Sequence, residues 1–363
     1  MNKEAKSLIY LNTAGVGLLS EAAVAASESF NNASLTNASG AFMKWMEERL
    51  PNLRNLMASL IHTRLSQIVF LPNFSFGLIS VVNSIRPSIK KVLLYRDDYP
   101  SLNLPFELGG FEVYYAESHD GFSISLERIK EITEKEKIEA IAISHVQFLT
   151  GFTIDLEALG NYCSKKNITL IVDATQSLGA VNLNFDTLPV DVLISSSYKW
   201  LNGGIGSAVM CMKESFMKRF PPRMAGFGSM THTMEGWSYQ PSATSYEPGH
   251  LNAVGLLHLE KSIEQRLFDK VASVVAYNGS MVKQLTDGLR ELSYNIRGGY
   301  ETKHLSTILC IEAEKDVADY LQENRIVVTW RKGLIRVSPH FYNNAEEIGT
   351  LLKVLMDYKN KMS

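Results

Sequence analysis

The chain is poor in the residues that staple small folds or cage metals. Of its 363 residues only three are cysteine (Cys163, Cys211 and Cys310), and no two form a CxxC pair. An odd, widely spaced set argues against a disulfide framework and against a thiolate metal cage. The eight histidines show no HExxH-like spacing; His258, for example, falls on a helical pattern as ordinary surface or core. No apolar run approaches the roughly 18 residues that cross a bilayer, and MNKEAKSLIYLNTAG at the start has no long apolar stretch before a small-residue cleavage site. Charge of one sign is lacking too: 36 Lys and Arg stand against 38 Asp and Glu. That balance does not suit nucleic acid or a membrane surface. Nucleotide signatures are missing as well. There is no GxxxxGK[ST], and neither the GVG of 15–17 nor the GGIG of 203–206 has GxGxxG spacing after a first strand. The expectation is a soluble, cytoplasmic protein, long enough for two domains with sizeable cores.

What is present is a βα rhythm. Residues 20–62 read as mostly helical. Short β-rich runs follow at 91–95, 111–115, 138–144, 169–172, 190–195 and 207–212, with helical patterns at 125–135 and 155–166. Strands alternating with helices predict an α/β fold with a mostly parallel, doubly wound sheet. Runs such as IAIS and LIVD are nearly all apolar, as strands covered on both faces should be. After about residue 250 the rhythm changes. Long helical stretches at 251–268 and 280–292 precede strand candidates at 306–311, 326–330 and 334–338 and a last helix from Asn344. This predicts a large α/β domain over 15–255 and a smaller α+β domain of 1–14 with 256–363.

The strongest chemical signal is a carboxylate and an amine. Asp173 closes the run TLIVD, and Lys199, 26 residues on, follows DVLISSSY. Open α/β sheets bind ligands at the carboxyl ends of their strands, so both can face one pocket. Pyridoxal phosphate (PLP) chemistry needs this pair: an amine to form an imine with the aldehyde, and a carboxylate to keep the pyridine nitrogen protonated. Each residue alone has a plainer reading. An Asp after a strand often only caps the next helix, and a Lys there is usually solvated.

The surrounding stretch decides between these readings. VDATQSLGAVNLNFDTLPVDVLISSSYKWLNGGIGSAVM resembles the PLP signature of class V aminotransferases and cysteine desulfurases: Asp-x-x-Gln, a Val-Asp strand, Ser-x-x-Lys and a Gly-rich turn. The resemblance implies the PLP-dependent transferase fold of type I, with a seven-stranded sheet. It makes Asp173 the partner of the pyridine nitrogen, Gln176 a ligand of the ring hydroxyl, Ser196 a phosphate ligand and Lys199 the Schiff-base lysine. Tyr198 takes the place of a phosphate-contacting His. SHVQFLTG (144–151) is similar to a His-Val-Asn segment, which sets Gln147 near the ring hydroxyl. LPNFSFG (71–77) stands where the family has a phosphate loop opening a helix, which gives Asn73, Phe74 and Ser75 that task. RDDYP (96–100) puts Tyr99 at the position of the aromatic stacked over the ring. YEPGHLN (246–252) resembles a loop that reaches a neighbour's phosphate, which implies a homodimer with shared sites and a phosphate contact from His250. LIRVSPHFYNNAEEIGTLL (334–352) resembles the C-terminal motif whose arginine grips the substrate carboxylate, here Arg336. Arg331 is a second candidate or a side-chain selector. YLNTAGVG (10–17) resembles the segment lining the substrate mouth, so Asn12 and Gly15 belong there.

The family includes transaminases, desulfurases, hydrolases and epimerases. A desulfurase needs a cysteine on a loop shortly before the C-terminal arginine. ENRIVVTWRKGL (323–334) holds none, and Cys310 reads as core. The expected activity is transamination of an amino acid or related amine. An epimerase or a C–S or β-lyase is the alternative, and the TWRKG and SPHFYN segments also resemble isopenicillin-N-epimerase-like members. A silent binding protein of the same fold would be expected to lack Lys199, Asp173 or Arg336, and all three are present.

Overall fold

A computed structural model describes residues 8–300 and 303–362. Seven strands form its main sheet: β1 (Ile68–Leu71), β2 (Lys91–Tyr95), β3 (Glu112–Ala116), β4 (Ala140–Ser144), β5 (Thr169–Asp173), β6 (Val192–Ser196) and β7 (Ala208–Met212). Their spatial order is β1-β7-β6-β5-β4-β2-β3. Only β7 runs against its neighbours, β6 and β1; β6, β5, β4, β2 and β3 pair in parallel. The expected mostly parallel α/β sheet is therefore present.

The apolar strand runs follow from burial on both faces. Leu170 and Val172 enter one core while Ile171 enters the other. Leu193 likewise points opposite to Val192 and Ile194, and Ile141 opposite to Ala140 and Ala142. Alternation of side chains along a strand thus feeds two layers of helices. Each fully buried Ile or Leu contributes on the order of 1.5–3 kcal/mol. The helix Glu21–Lys44 continues through one π turn, Trp45–Arg49, into Leu50–Ile61. Leu256, Leu257, Leu259 and Ile263 of the helix Ala253–Phe268 pack into the same core as Leu53 and Met57.

A second sheet of three antiparallel strands, Leu309–Glu312, Leu334–Val337 and Thr329–Arg331, has its own apolar cluster. The helices Val271–Glu291, Lys315–Glu323 and Ala345–Met362 supply Leu285, Leu321 and Leu351 to it. Ile9–Tyr10 pairs in parallel with Ile326–Val327, which ties the start of the described chain to this unit. Among the described residues no helix is long and apolar enough to cross a membrane.

Candidate active site

The sheet order brings the carboxyl ends of β1, β2, β4, β5 and β6 to one edge, because β1 is antiparallel to β7 and so parallel to the rest. The residues that follow these strands line one cavity of about 190 Å³. Asp173 and Lys199 both face it, with Asn73, Phe74, Ser75, Tyr99, Gln176, Ser196 and Tyr198.

Asp173 ends β5 and is 6% exposed. Its Oδ1 accepts the Thr175 N–H at 2.8 Å, and the Thr175 hydroxyl oxygen accepts the Ser196 N–H at 3.1 Å. Burial pushes the Asp173 carboxyl up from 3.8 to about 6, against the pull of the Thr175 bonds and of Lys199. Lys199 follows β6 in a tight turn, closed by Asn202 N–H to Lys199 O at 3.0 Å and Gly203 N–H to Ser197 O at 2.9 Å. Burial brings its amine down from 10.5 to about 8; Asp173 opposes that shift, while Arg336 and Arg331 add to it. Lys199 Nζ lies 5.9 Å from the ring centres of both Tyr99 and Tyr198. Burial also raises the Tyr198 hydroxyl.

The segment 10–20 packs on this turn. Gly17 N–H donates to Tyr198 O at 2.8 Å, and a Cβ on Gly17 would meet Lys199 O at 2.1 Å. The GVG sequence is thus a close backbone approach rather than a nucleotide loop. Gly15 N–H donates to Asn12 O, and Asn12 Oδ1 accepts from the Thr329 hydroxyl at 2.6 Å. Gln176 is held on both sides: its oxygen accepts the Trp200 indole N–H at 2.7 Å, and its amide donates to Ala14 O at 3.0 Å.

At the other end of the cavity the 12-residue helix Phe74–Ile85 begins, capped by Asn73, whose side chain accepts the Phe76 N–H at 2.8 Å. Free N–H groups at such an end suit an anion. Tyr99 caps the helix Pro100–Glu107 and meets Phe148 edge-on at 5.4 Å.

Six expected residues lie outside this lining: Asn12 and Gly15 in segment 10–20, and Gln147, His250, Arg331 and Arg336. Gln147 turns its amide to Asp98 at 3.2 Å and borders a neighbouring pocket instead, because Asp98 is buried and needs donors. His250 is exposed, edge-on to the Phe42 ring at 5.3 Å, in a groove with Phe227 and Trp237. Arg331 is exposed in the same neighbouring pocket as Gln147. Arg336 donates from Nη1 to Phe148 O at 2.7 Å and acts on Lys199 through its charge.

Four residues were missed. Ser144, Phe148 and Thr175 line the cavity, and Asp98 stands behind it, accepting from Ser144 N–H at 2.8 Å and Ser144 Oγ at 2.5 Å. All four lie inside motifs already picked out, and Asp98, Phe148 and Thr175 stand next to a chosen residue (Tyr99, Gln147 and Gln176); the signal was their position, not their side chains.

The family model of class V aminotransferases matches residues 9–351. The chain belongs to the class V aminotransferase family. An uncharacterised aminotransferase, YcbU, of Bacillus subtilis (strain 168) is 24% identical over 323 residues, 84% of this chain and 83% of that protein. A probable cysteine desulfurase of Pyrococcus abyssi (strain GE5 / Orsay) is 26% identical over 331 residues, 83% of this chain and 81% of the other. The solved structure of a C-DES variant with glycine covalently linked to its PLP cofactor superposes with a TM-score of 0.87. That match covers 98% of this chain and 97% of the other at 17% identity, so it speaks for the fold. Proteins similar to this chain therefore carry different reaction names.

Proposed function

We propose that this class V chain is a PLP-dependent transaminase of an amino acid or related primary amine, with Lys199 as the covalent anchor of the cofactor. The observation that carries the reading is Asp173 and Lys199 on one buried cavity. The residues fit the cofactor. Asp173 is a buried carboxylate that, among the described residues, takes its hydrogen bonds from Thr175, and a cationic ring nitrogen is the partner it calls for. The start of the helix Phe74–Ile85, with Ser75, Ser196 and Tyr198 nearby, suits the phosphate. The rings of Phe74, Tyr99 and Phe148 wall the space between and limit water.

When bound, PLP supplies an aldehyde for the substrate amine and a ring that accepts electrons from the α-carbon. The protein then has to hold charges and move one proton. Asp173 keeps the ring nitrogen protonated. The Lys199 amine, brought down to about 8, has a usable neutral fraction near neutral pH and takes the α-carbon proton. Arg336 orients the α-carboxylate.

A persulfide relay through a protein thiol does not suit this chain. Cys163, Cys211 and Cys310 are all buried, and burial pushes each thiol well up. The alternatives are an epimerase or a C–S or β-lyase on the same residues. We also place the protein in the cytoplasm as a homodimer. The exposed Phe227, Met234 and Trp237, 80%, 105% and 57% accessible, and the position of His250 beside them support a partner at that face.

The test is chemical. Borohydride should fix the cofactor on the peptide containing Lys199, and Lys199→Ala should carry no reducible cofactor; retention of it by Lys199→Ala would falsify the anchor. A panel of amino acids in deuterated buffer separates the reactions. Keto-acid formation that depends on an amino acceptor supports transamination, whereas α-proton exchange alone, or release of a β-substituent, replaces it with an alternative.

A further inference from the structure

One face of the three-stranded sheet carries two guanidiniums. Antiparallel register sets Thr329 opposite Arg336 and Arg331 opposite Leu334, and directly opposed side chains share a face. Arg331 and Arg336 are therefore on the same side, turned to the Phe148 segment. Arg336 Nη1 donates to Phe148 O at 2.7 Å, and Arg331 Cζ lies 6.0 Å from the Phe148 ring centre. Phe148 is itself a wall of the Lys199 cavity. Both cations also depress the Lys199 amine, so both charges reach the reacting centre.

Neither has an acid partner among the described residues. Arg297, their neighbour, does: it pairs with Glu312 at 3.1 Å. No carboxylate acts on Arg336: Tyr10 and the buried Cys310 beside it are neutral near neutral pH, Arg331 repels it, and among the described residues its buried Nε has no hydrogen-bond partner. Arg331 opens on a separate pocket of about 230 Å³, beyond Gln147 and Leu149, where Lys332 and Arg297 add positive charge and Asp97 is the one acid in the wall among the described residues. With Arg297 neutralised by Glu312, the pocket keeps a positive excess.

The proposed amino-acid site accounts for one guanidinium, since a substrate has one α-carboxylate. It leaves the other without an anion. We infer that Arg331 selects substrates with a second anionic group at the side-chain end, of the aspartate or glutamate kind. The inference rests on the reading of the Lys199 cavity as an amino-acid site. Arg336 takes the α-carboxylate next to Lys199, and Arg331 takes the distal carboxylate past Phe148. A guanidinium reads a carboxylate as a two-pronged fork, which an ammonium does not reproduce.

The experiment uses holoprotein and two readouts. In the first, succinate and glutarate are compared with butyrate by calorimetry, which needs no turnover. The diacids should bind at least about 10-fold more tightly, and Arg331→Met should abolish that difference. In the second, KM is compared for L-glutamate and L-glutamine. Arg331→Met should raise the glutamate-to-glutamine KM ratio about 10- to 100-fold, with Arg331→Lys recovering only part of it. Equal binding of diacid and monoacid by the unaltered protein overturns the inference, as does an equal loss for both amino acids. Arg331 is exposed, so its variants should fold. The two readings fail separately. Cofactor fixed on Lys199 without an Arg331-dependent preference sinks only this one. A diacid preference that follows Arg331 in protein with no cofactor on Lys199 supports the anion site and sinks the transaminase.

Discussion

Asp173 and Lys199 hold each other's charge against burial: the carboxylate raises the amine, and the amine lowers the carboxyl, while desolvation pushes each the other way. They stand at the same edge of the sheet because β5 and β6 are parallel neighbours, with Asp173 in register with Ile194. Without a ligand the site is electrostatically uncomfortable, and binding a cationic ring relieves it.

The first consequence concerns stability. The folded Asp173 carboxyl has its pKa raised from 3.8 to about 6, so the folded state binds this proton more tightly than the unfolded state. Its contribution is favourable at low pH and is lost as pH rises through about 4 to 6. At pH 7 an ionised Asp173 therefore costs about 1–3 kcal/mol. In protein freed of cofactor, Asp173→Asn should be more stable than the unaltered chain by that amount at pH 7, and the gain should vanish below pH 4. Denaturant midpoints at the two pH values check this. If the proposed transamination holds, the same variant should lose it by at least about 100-fold, because a neutral amide does not keep a ring nitrogen protonated.

If Lys199 anchors the cofactor as proposed, a second consequence is the pH at which cofactor is captured. Only the neutral Lys199 amine attacks an aldehyde. With the amine near 8 rather than 10.5, the capture rate should rise with pH and level off just above 8. Arg336 is one of the cations that depress Lys199, so Arg336→Met should move the inflection to higher pH. Stopped-flow absorbance against pH reads both. An inflection unmoved by removal of Arg336 contradicts the charge coupling.

Much of this was readable beforehand because the chemistry sits at strand ends, and the strands announce themselves. IAIS and LIVD can be apolar up to their last residue only where both faces are covered, and the residue that closes such a run lands at the ligand edge of the sheet. That places Asp173 and Lys199 without a structure, while Ser196 is marked only by the family resemblance. β1 was harder: IVFL is four residues between two helices, too short for a period to show. The hairpin of Met230–Thr233 and Gly236–Tyr239 has mostly exposed side chains, so no burial pattern marks it. Phe148 reaches the cavity through a turn closed by Gly151 N–H to Gln147 O, and Gly151 has φ +76 with no room for a Cβ beside Ile308 O. Nothing in the local pattern tells which side chain of that turn points inward. Gln147 was drawn away by Asp98, whose burial becomes visible only once β2 and β4 are side by side.

The glycine at 17 should be intolerant of any side chain. A Cβ there would lie 2.1 Å from Lys199 O, a backbone atom fixed in a closed turn, and 2.6 Å from the Asn202 amide. Gly17→Ala has to push the Lys199 turn or segment 10–20 aside, at about 1–3 kcal/mol. The expected result is a lower Tm together with weaker cofactor retention on dialysis. Gly349→Ala, on an open face of the last helix with nothing near the added Cβ, is the control and should cost nothing.

Glu247 tests how the loop 246–252 is held. It is 7% exposed, forms an ion pair with Arg54 and accepts the Phe70 N–H at 2.7 Å, which joins the loop to β1 and to the helix Leu50–Ile61. Arg54 also donates to Ile68 O at 3.0 Å, so its charge stays buried when the acid is removed. Breaking one partner of such a pair leaves an uncompensated charge, at about 3–5 kcal/mol, while removing both is cheaper. Glu247→Leu should therefore destabilise more than the Glu247→Leu, Arg54→Leu double variant does. A double-mutant cycle in urea measures the coupling. The single variant should also free the loop that carries His250, seen as faster proteolysis near residue 250. If the two singles simply add, the pair is incidental and the loop is held by Phe70 and its neighbours instead.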